Sequence, residues 1–210
     1  MPVRMNGDER LPQSFFAQQA RVVAFNLLGK RLVRSIGGQR VSGYIVETEA
    51  YCDAEERDLA CHGDKANEGR PTPRTAVMFG PAGHAYVYFT YGMHWMFNVV
   101  TGQEGEANAV LIRALEPDEG AEFMAERRAG RQRAEWTNGP AKLAQALAVD
   151  KSINGVNLCR PGGPIWIEAG RAIVSSRIDR GPRIGLGRTP EPWLSMPWRY
   201  WIKNNRFVSR

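Results

Sequence analysis

The chain has 210 residues, 43% hydrophobic and 24% charged, with a formal net charge of +6, which is ordinary for a soluble globular protein and favours a single domain over residues 1–210. The longest apolar stretch, residues 85–100, is shorter than the ~20 residues of a membrane-spanning helix, and the first ten residues carry acids and lack the apolar core of a signal peptide. Three cysteines without a pattern favour reduced thiols in a cytosolic protein over a disulfide framework: Cys52, Cys61 and Cys159.

The first predicted elements are a helix and two strands. Ser14 is a candidate N-cap, and apolar residues follow it at helical spacing as far as Leu28. Gly29 comes next and is a typical residue just after the end of a helix. Strands are then predicted over residues 31–36 and 41–51.

The second of these strands places two acids and a tyrosine on one face. Alternate residues of an extended chain point the same way, so Glu47, Glu49 and Tyr51 share a face with Ile45. Neither acid has a Lys or Arg on its own strand face, so a charge partner must come from elsewhere in the fold. Carboxylates in such places are often functional. The alternative is that this face is solvated and both acids are surface residues.

Residues 52–74 are polar, charged and dotted with Gly and Pro, which predicts a loop. Loops on a rigid scaffold often carry function. His62 is the only histidine of this loop, and a lone histidine is more often structural than catalytic. Cys61 beside it, with a distant Cys52, is a poor zinc pattern, so no metal site is expected here.

A β-hairpin is predicted over residues 85–100, closed around a glycine. The predicted partners across its strands are Tyr88 with Asn98 and Tyr91 with Trp95, at about 5 Å between Cβ atoms. A large aromatic residue at a protruding tip can wedge between stacked bases from the minor groove of DNA. The alternative is a half-buried hairpin whose aromatic residues simply belong to the core.

Arg113 lies in a further predicted strand, over residues 108–115, on a face otherwise made of leucines. A buried arginine needs an anionic or multi-acceptor partner. Glu47 or Glu49 is an obvious candidate, with a phosphate or a bound water as alternatives. It also remains open whether the strand lies at an edge, where the guanidinium would reach solvent.

The later segments predict short helices and strands. Pro117 would open a helix to about Gly130, and Pro140 would open another to Ala148. Short strands are predicted at residues 164–168, 173–176, 183–186 and 199–203. Helices and strands mix without a regular βαβ rhythm, which predicts an α+β fold with a largely antiparallel sheet.

Positive charge is concentrated at residues 171–210, where nine Lys or Arg against two acids give +7, so that the first 170 residues sum to −1. Aromatic residues interleave with the basic ones: Trp193, Trp198, Tyr200, Trp201 and Phe207. Such a segment suits a polyanion, because Lys and Arg displace counterions condensed on phosphates. Charge therefore favours nucleic acid as the partner, although a basic pI is common and the aromatic residues could be core.

Motifs of several other chemistries are missing from the sequence, including His-Glu-x-x-His, Cys-x-x-Cys, a phosphate-binding loop ending in Lys-Ser/Thr, and Gly-x-Ser-x-Gly. Six segments, in order over nearly the whole chain, instead resemble the alkyladenine (3-methyladenine) DNA glycosylase family. They are Ile45–Tyr51, Thr72–Phe79, Tyr86–Met93, Val110–Pro117, Gly139–Leu143 and Arg183–Leu186. The ordered series is far more specific than any single motif. One departure is a slightly longer spacing between Tyr51 and His62, around Glu55–Leu59.

The resemblance implies a single-domain mixed α/β fold around a curved sheet, with a β-hairpin that inserts into DNA. It also implies hydrolysis of the N-glycosidic bond of damaged purines in duplex DNA, without a metal or organic cofactor. Glu49 matches the general base that activates the attacking water. Arg113 matches a residue that helps to hold this water, and the carbonyl of Ile184 would be its third contact.

The remaining site residues of the family match a base pocket and a wedge. Tyr51, His62 and Tyr88 match the residues that sandwich and read the flipped base, and Asn98 matches the residue that disfavours guanine. Tyr91 matches the intercalating residue. No lysine lies in the matched pocket set, so no Schiff-base lyase step is expected. The resemblance further implies a monomer that acts in the cytoplasm on nucleoid DNA, and it leaves the preference among damaged purines open.

Overall fold

In a computed structural model of the protein, residues 10–52, 57–65 and 69–209 are described, except for the side chains of Asp64 and Lys65. The predictions for the first ten residues and for the extra length around residues 55–59 therefore fall partly outside the described chain. Within it, no helix is long and apolar enough to cross a membrane.

One sheet of eight strands organises the described part of the chain. The strands are β1 (Arg31–Ile36), β2 (Gln39–Cys52), β3 (Ala85–Thr90), β4 (His94–Val100), β5 (Asn108–Pro117), β6 (Ile165–Glu168), β7 (Ile178–Gly181) and β8 (Arg199–Ile202). Their order is β3-β4-β5-β2-β1-β6, while β8 pairs with both β2 and β7. Every pairing is antiparallel. The predicted α+β class with an antiparallel sheet is confirmed.

Helices are short in the described residues. They are α1 (Gln13–Phe16), α2 (Ala20–Asn26), α3 (His62–Lys65), α4 (Ala121–Arg127) and α5 (Pro140–Ala146). Single turns of 3₁₀ helix cover Ala76–Phe79, Arg133–Glu135, Lys151–Ile153 and Ser175–Arg177. The apolar faces of α2 and α5 pack on the sheet and close the main hydrophobic core.

Strand β2 is the centre of the fold. It is 14 residues long, and residues 41–50 are buried without interruption. Glu47 and Glu49 lie between β5 on one side and β8 on the other, with an irregular register against β5 at Glu47. Thr48 points to the opposite face, where its hydroxyl donates to the carbonyl of Ala24 in α2 at 2.8 Å. Both acids therefore lie inside the protein, and the surface alternative for them is excluded.

The single N-terminal helix predicted from Ser14 is wrong, because α1 and α2 are separated by residues 17–19. The backbone N–H of Gly102 donates to the carbonyls of Phe16 and Gln18, both at 3.1 Å. In a continuous helix these carbonyls would accept hydrogen bonds from the following turn. Here they accept from a loop that is distant in sequence. Ser14 lies inside α1 and does not cap it.

The helix predicted to open at Pro117 starts later than expected. Pro117 is the last residue of β5, and the chain beyond it continues to bond with β2. The N–H of Asp118 donates to the carbonyl of Ser42 at 2.9 Å, and the N–H of Ser42 donates to the carbonyl of Glu119 at 3.0 Å. Helix α4 can begin only after Gly120, whose φ of +66° turns the chain away from the sheet.

Two of the predicted strands near the C-terminal end are also wrong. Residues 173–176 lead into a 3₁₀ turn, and the strand of this region is β7, which was not predicted. Residues 183–186 are a loop, because Gly185 has φ +80° and Arg183 is buried against Asp58. Local strand propensity was overridden by tertiary contacts in both places.

The predicted hairpin exists as β3 and β4, but in a different register. Tyr88 faces Met96, and Asn98 faces Tyr86. The predicted pair of Tyr91 with Trp95 placed the turn at residues 92–94, but the turn is formed by residues 91–93. Its first two residues adopt positive φ angles of +51° and +67°. The partners shift by two residues, an even number, so Tyr88 and Asn98 still share a face of the sheet.

The basic C-terminal segment is largely integrated into the fold. Trp198, Tyr200 and Phe207 are buried in the main core, as the alternative interpretation of these aromatic residues required. Three of its basic residues form ion pairs within the chain: Arg171, Arg183 and Arg199. Part of the positive charge of this segment is therefore used in ion pairs within the protein and is not available to a polyanion.

Candidate active site

A pocket of about 310 Å³ lies beside the hairpin, between β2 to β5 and the loop around residue 184. Its volume is within the usual range of small-molecule sites, about 300–1,000 Å³. It is lined by seven residues that the sequence singled out: Tyr51, His62, Tyr88, Tyr91, Asn98, Arg113 and Ile184. It is also lined by residues that were not predicted, among them Tyr86, Met96, Leu111 and Gly185.

The carboxylate of Glu49 lies directly behind this lining and is fully buried, with 0% exposure. Its Oε1 accepts a hydrogen bond from the backbone N–H of Ile184 at 2.7 Å and lies 3.2 Å from Nη1 of Arg113. Its Oε2 accepts a hydrogen bond from the hydroxyl of Tyr51 at 2.9 Å. Tyr51, Arg113 and Ile184 all line the pocket. One layer of residues therefore separates the carboxylate of Glu49 from the interior of the pocket.

Burial raises the pKa of Glu49 above its ordinary value. The charge of Arg113 and the hydrogen bonds from Ile184 and Tyr51 favour the ionised form, but loss of hydration outweighs them, and the nearby Glu47 acts in the same direction as burial. Burial likewise raises the pKa of Tyr88 to about 12 and that of Tyr51 well above its usual value, so both phenols stay neutral donors. A carboxyl with a raised pKa beside a pocket is typical of acid–base catalysts.

Arg113 is the shared partner of both strand acids. Its Nε lies 3.1 Å from Oε1 of Glu47 and its Nη1 lies 3.2 Å from Oε1 of Glu49. Burial lowers the pKa of Arg113, but the two carboxylates outweigh burial and raise it. The guanidinium is therefore a permanent cation between two buried acids. Of the partners considered from the sequence, both glutamates contact it.

Aromatic rings from β3 and α3 form one wall of the pocket. The centroid of the Tyr88 ring lies 4.6 Å from that of His62 and 5.3 Å from that of Tyr86. Nδ1 of His62 and the hydroxyl of Tyr86 are 2.9 Å apart. The amide of Asn98 donates to the carbonyl of Tyr86 at 3.0 Å, which holds this buried side chain in one orientation.

Tyr91 lies at the rim, at the tip of the hairpin. Its side chain is 79% exposed and that of Met93 is 66% exposed, so neither belongs to the core. The φ of Tyr91 is +51°, a conformation that few residues other than glycine adopt. Strained backbone of this kind persists only where the surrounding structure maintains it, and it is concentrated at functional sites. The tip is therefore exposed and aromatic, and the role of Tyr91 as a wedge stays a prediction.

A buried ion pair that the sequence did not reveal supports the pocket from behind. Nη2 of Arg183 donates to Oδ1 of Asp58 at 2.8 Å, and its Nη1 contacts Oδ2. The guanidinium carbon lies 4.7 Å from the ring centroid of Tyr51 and 4.9 Å from that of Trp198. The pair thus joins the loop of His62 to the loop of Ile184. Its only sequence signal was the position of Arg183 next to Ile184.

We expect Arg183→Met to destabilise the fold strongly, by about 3–5 kcal/mol, because Asp58 would stay buried without its cation. Urea unfolding should show a lower midpoint with an unchanged slope. Arg171→Met is the matched control, since its ion pair with Glu116 is half exposed and worth at most about 1 kcal/mol. Adding Asp58→Asn to Arg183→Met should recover part of the loss. Equal midpoints for the two arginine variants would contradict the assignment.

Among the described residues, no group of three or more His, Cys, Asp or Glu side chains is arranged to hold a metal ion. The donor groups that surround the pocket are a buried carboxylate, an arginine, phenols and an imidazole. Together they can activate a water, stabilise developing charge and stack on a flat ligand.

Comparison with known proteins agrees with this picture. A family model described as methylpurine-DNA glycosylase (MPG) matches residues 14–206. A protein of Carboxydothermus hydrogenoformans is 47% identical over 201 residues, covering 95% of this chain and 98% of the relative. One of Myxococcus xanthus is 46% identical, covering 95% and 93%, and one of Bacillus subtilis is 44% identical, covering 95% and 96%. All three carry the name "Putative 3-methyladenine DNA glycosylase". The chain belongs to the methylpurine-DNA glycosylase family.

Proposed function

We propose that the protein is a monofunctional glycosylase that removes alkylated and deaminated purines from duplex DNA and leaves an abasic site. The observation that carries this proposal is the fully buried carboxylate of Glu49, held by three residues that line an aromatic pocket. Family membership and the names of the relatives support the glycosylase class. The substrate range and the role of each residue go beyond those names.

The chemistry assigns Glu49 the role of general base. Water attacks C1′ of the deoxyribose, the bond from C1′ to the purine nitrogen breaks, and its electron pair leaves with the base. Glu49 accepts the proton of the water, and its charge stabilises the oxocarbenium character of the sugar. An ionised carboxylate has about four acceptor positions. The hydrogen bonds from Tyr51 and Ile184 occupy two of those of Glu49, and Nη1 of Arg113 lies 3.2 Å from its Oε1. Glu49 can therefore still accept a hydrogen bond from a water, and Arg113 and the carbonyl of Ile184 help to hold that water.

The aromatic wall suits a flipped purine. Enzymes that act on a base of a duplex extrude it into a pocket and stack it between aromatic or apolar side chains. Alkylated purines such as 3-methyladenine are cationic, and aromatic faces attract cations. Tyr51, Tyr88 and His62 contact the base in this proposal. Asn98, fixed by its bond to Tyr86, disfavours guanine through a clash with the 2-amino group.

The exposed hairpin tip is assigned to the duplex. Tyr91 enters the base stack and fills the space that the flipped base leaves. No lysine is found among the described pocket-lining residues, which supports hydrolysis by water without a Schiff-base step. Action of a monomer in the cytoplasm, on nucleoid DNA, remains a prediction.

A base-release assay tests the proposal. We expect the protein to free bases from duplexes that carry 3-methyladenine, 7-methylguanine, hypoxanthine or ethenoadenine, without added metal, and to leave abasic sites that break only on alkaline treatment. Undamaged duplex is the control. Strand cleavage without alkali would contradict the monofunctional assignment. Binding of damaged duplex without release of any base would instead identify a DNA-binding module, and preference for structured RNA in competition would identify an RNA-binding relative.

A further inference from the structure

Glu47 has no part in the proposed chemistry, yet it is the most heavily bonded acid of the site. It is fully buried and does not line the pocket. Four donors converge on its carboxylate: Nε of Arg113 at 3.1 Å, Nη1 of Arg199 at 3.1 Å, the backbone N–H of Ser209 at 2.7 Å and the hydroxyl of Ser209 at 2.9 Å. A buried carboxylate with this many partners has one orientation and is costly to displace.

Arg113 is held from three sides by this arrangement. Its Nε donates to Glu47, its Nη2 donates to the hydroxyl of Ser209 at 3.3 Å, and its Nη1 lies 3.2 Å from Glu49. The guanidinium is planar and its donors form a rigid fork. When two of its nitrogens are fixed by partners, the direction of the third is fixed as well. Here the third nitrogen lies beside Oε1 of the proposed general base.

We propose that Glu47 and Ser209 are positioning residues that hold Arg113 beside Glu49. The segment after β8 would thereby contribute to the arrangement of the active site. This inference rests on the proposed function. Ser209 is distant in sequence from both strands, and its hydroxyl bridges the two by donating to Glu47 and accepting from Arg113. Arg199 of β8 forms a second ion pair with Glu47 and so offsets the second negative charge of the cluster.

The pH dependence of base release separates positioning from a simple charge effect. Burial raises the pKa of Glu49, Arg113 is the strongest opposing influence, and Glu47 is the weakest contributor. If Glu47 only added negative charge, its removal would lower the pKa of Glu49. If it positions Arg113, its removal withdraws the stronger effect and raises that pKa. The charged and titratable groups that face Glu49 are Glu47 and Tyr51 of β2, Tyr88 of β3, Arg113 of β5, Arg199 of β8 and Arg183.

The test measures single-turnover release of hypoxanthine by the parent, Glu47→Gln, Ser209→Ala and Ser209→Thr across the acidic side of the pH profile. The amide of the glutamine would place a donor against the N–H of Ser209, and Ser209→Ala removes the bridging hydroxyl. We expect both to slow release about 10- to 100-fold, as misplacement of a catalytic group does. The acidic limb of the pH–rate profile, where release falls as Glu49 is protonated, should move to higher pH. Ser209→Thr keeps the hydroxyl and should restore the rate and the limb.

Glu168→Gln is the matched control, because Glu168 is a buried acid that pairs with Arg31 and Arg40 on the other edge of the sheet. It should keep the parental rate and profile. Parental rates and limbs in Glu47→Gln and Ser209→Ala would overturn the inference, and so would a limb that moves to lower pH. If Glu47→Gln does not fold, the two Ser209 variants decide the question alone. Failure of the proposed function is distinguishable, since the parent itself would then release no base.

Discussion

Replacing Glu49 by Gln is expected to abolish base release while duplex binding survives. The amide cannot accept the proton of the attacking water, and loss of a general base slows catalysis by about 10²–10⁴-fold. The amide oxygen of glutamine can still accept from the N–H of Ile184, so the pocket should keep its shape. Single-turnover release from a damaged duplex measures the first effect, and a binding titration with the same duplex measures the second.

The stability of this variant provides an independent check. The folded protein raises the pKa of Glu49 above that of the unfolded chain, so the folded state holds the proton more tightly. The contribution of this group to stability is therefore lost as pH rises through the raised pKa, and at neutral pH its charge costs folding free energy. We expect Glu49→Gln to melt at or above the parental temperature at neutral pH.

Glu116→Gln is a suitable control for Glu49→Gln, because this acid of β5 is partly exposed and pairs with Arg171 outside the pocket. Its release rate should match that of the parent. Undiminished release by Glu49→Gln would remove Glu49 from the mechanism. A variant that melts well below the parent would mean that the carboxylate is structural.

Replacing Tyr91 by Ala is expected to weaken flipping from paired DNA. Stacking of an aromatic side chain on a base contributes about 1–3 kcal/mol, which corresponds to roughly 5- to 150-fold in duplex affinity or release rate. The loss should shrink when the damaged base lies opposite a mismatch, because less unpairing energy is then required. Single-turnover rates on paired and mismatched substrates measure the difference.

Two further variants separate the ring of Tyr91 from its backbone. Tyr91→Phe keeps the wedge and should behave like the parent. Tyr91→Gly removes the wedge and also relieves the positive φ of +51°, which glycine adopts without cost. If the ring is what acts, Tyr91→Gly and Tyr91→Ala should lose equal activity. Unchanged rates of Tyr91→Ala on paired substrate would refute the wedge.

Sequence alone predicted much of the local structure around the site. The strand at residues 41–51 was found with Glu47, Glu49 and Tyr51 on one face, because the period of two in a strand is a strict geometric consequence of its backbone. The hairpin was found for a similar reason, since a central glycine between two β-prone segments is a strong local signal. Its predicted strand pairing was wrong by two residues, because the turn lies one residue earlier than the prediction placed it.

Elements whose backbone partners are distant in sequence were predicted less well. The N-terminal helix is broken because the N–H of Gly102 donates hydrogen bonds to carbonyls of that segment. Pro117 remains in a strand because Ser42 forms backbone hydrogen bonds with residues 118 and 119. Residues 183–186 form a loop because Arg183 is bound by Asp58. In each case the competing partner lies far along the chain, where no local pattern records it.

The sequence by itself determined the α+β class, the facing of the two acids and, through the ordered motifs, the family. Only the tertiary structure decided which of the acids adjoins the pocket and which one is fully occupied by Arg113, Arg199 and Ser209. Alternation along one strand makes Glu47 and Glu49 equivalent. They differ because β5, β8 and the segment after β8 bring different partners to each, and only the folded chain assembles those partners.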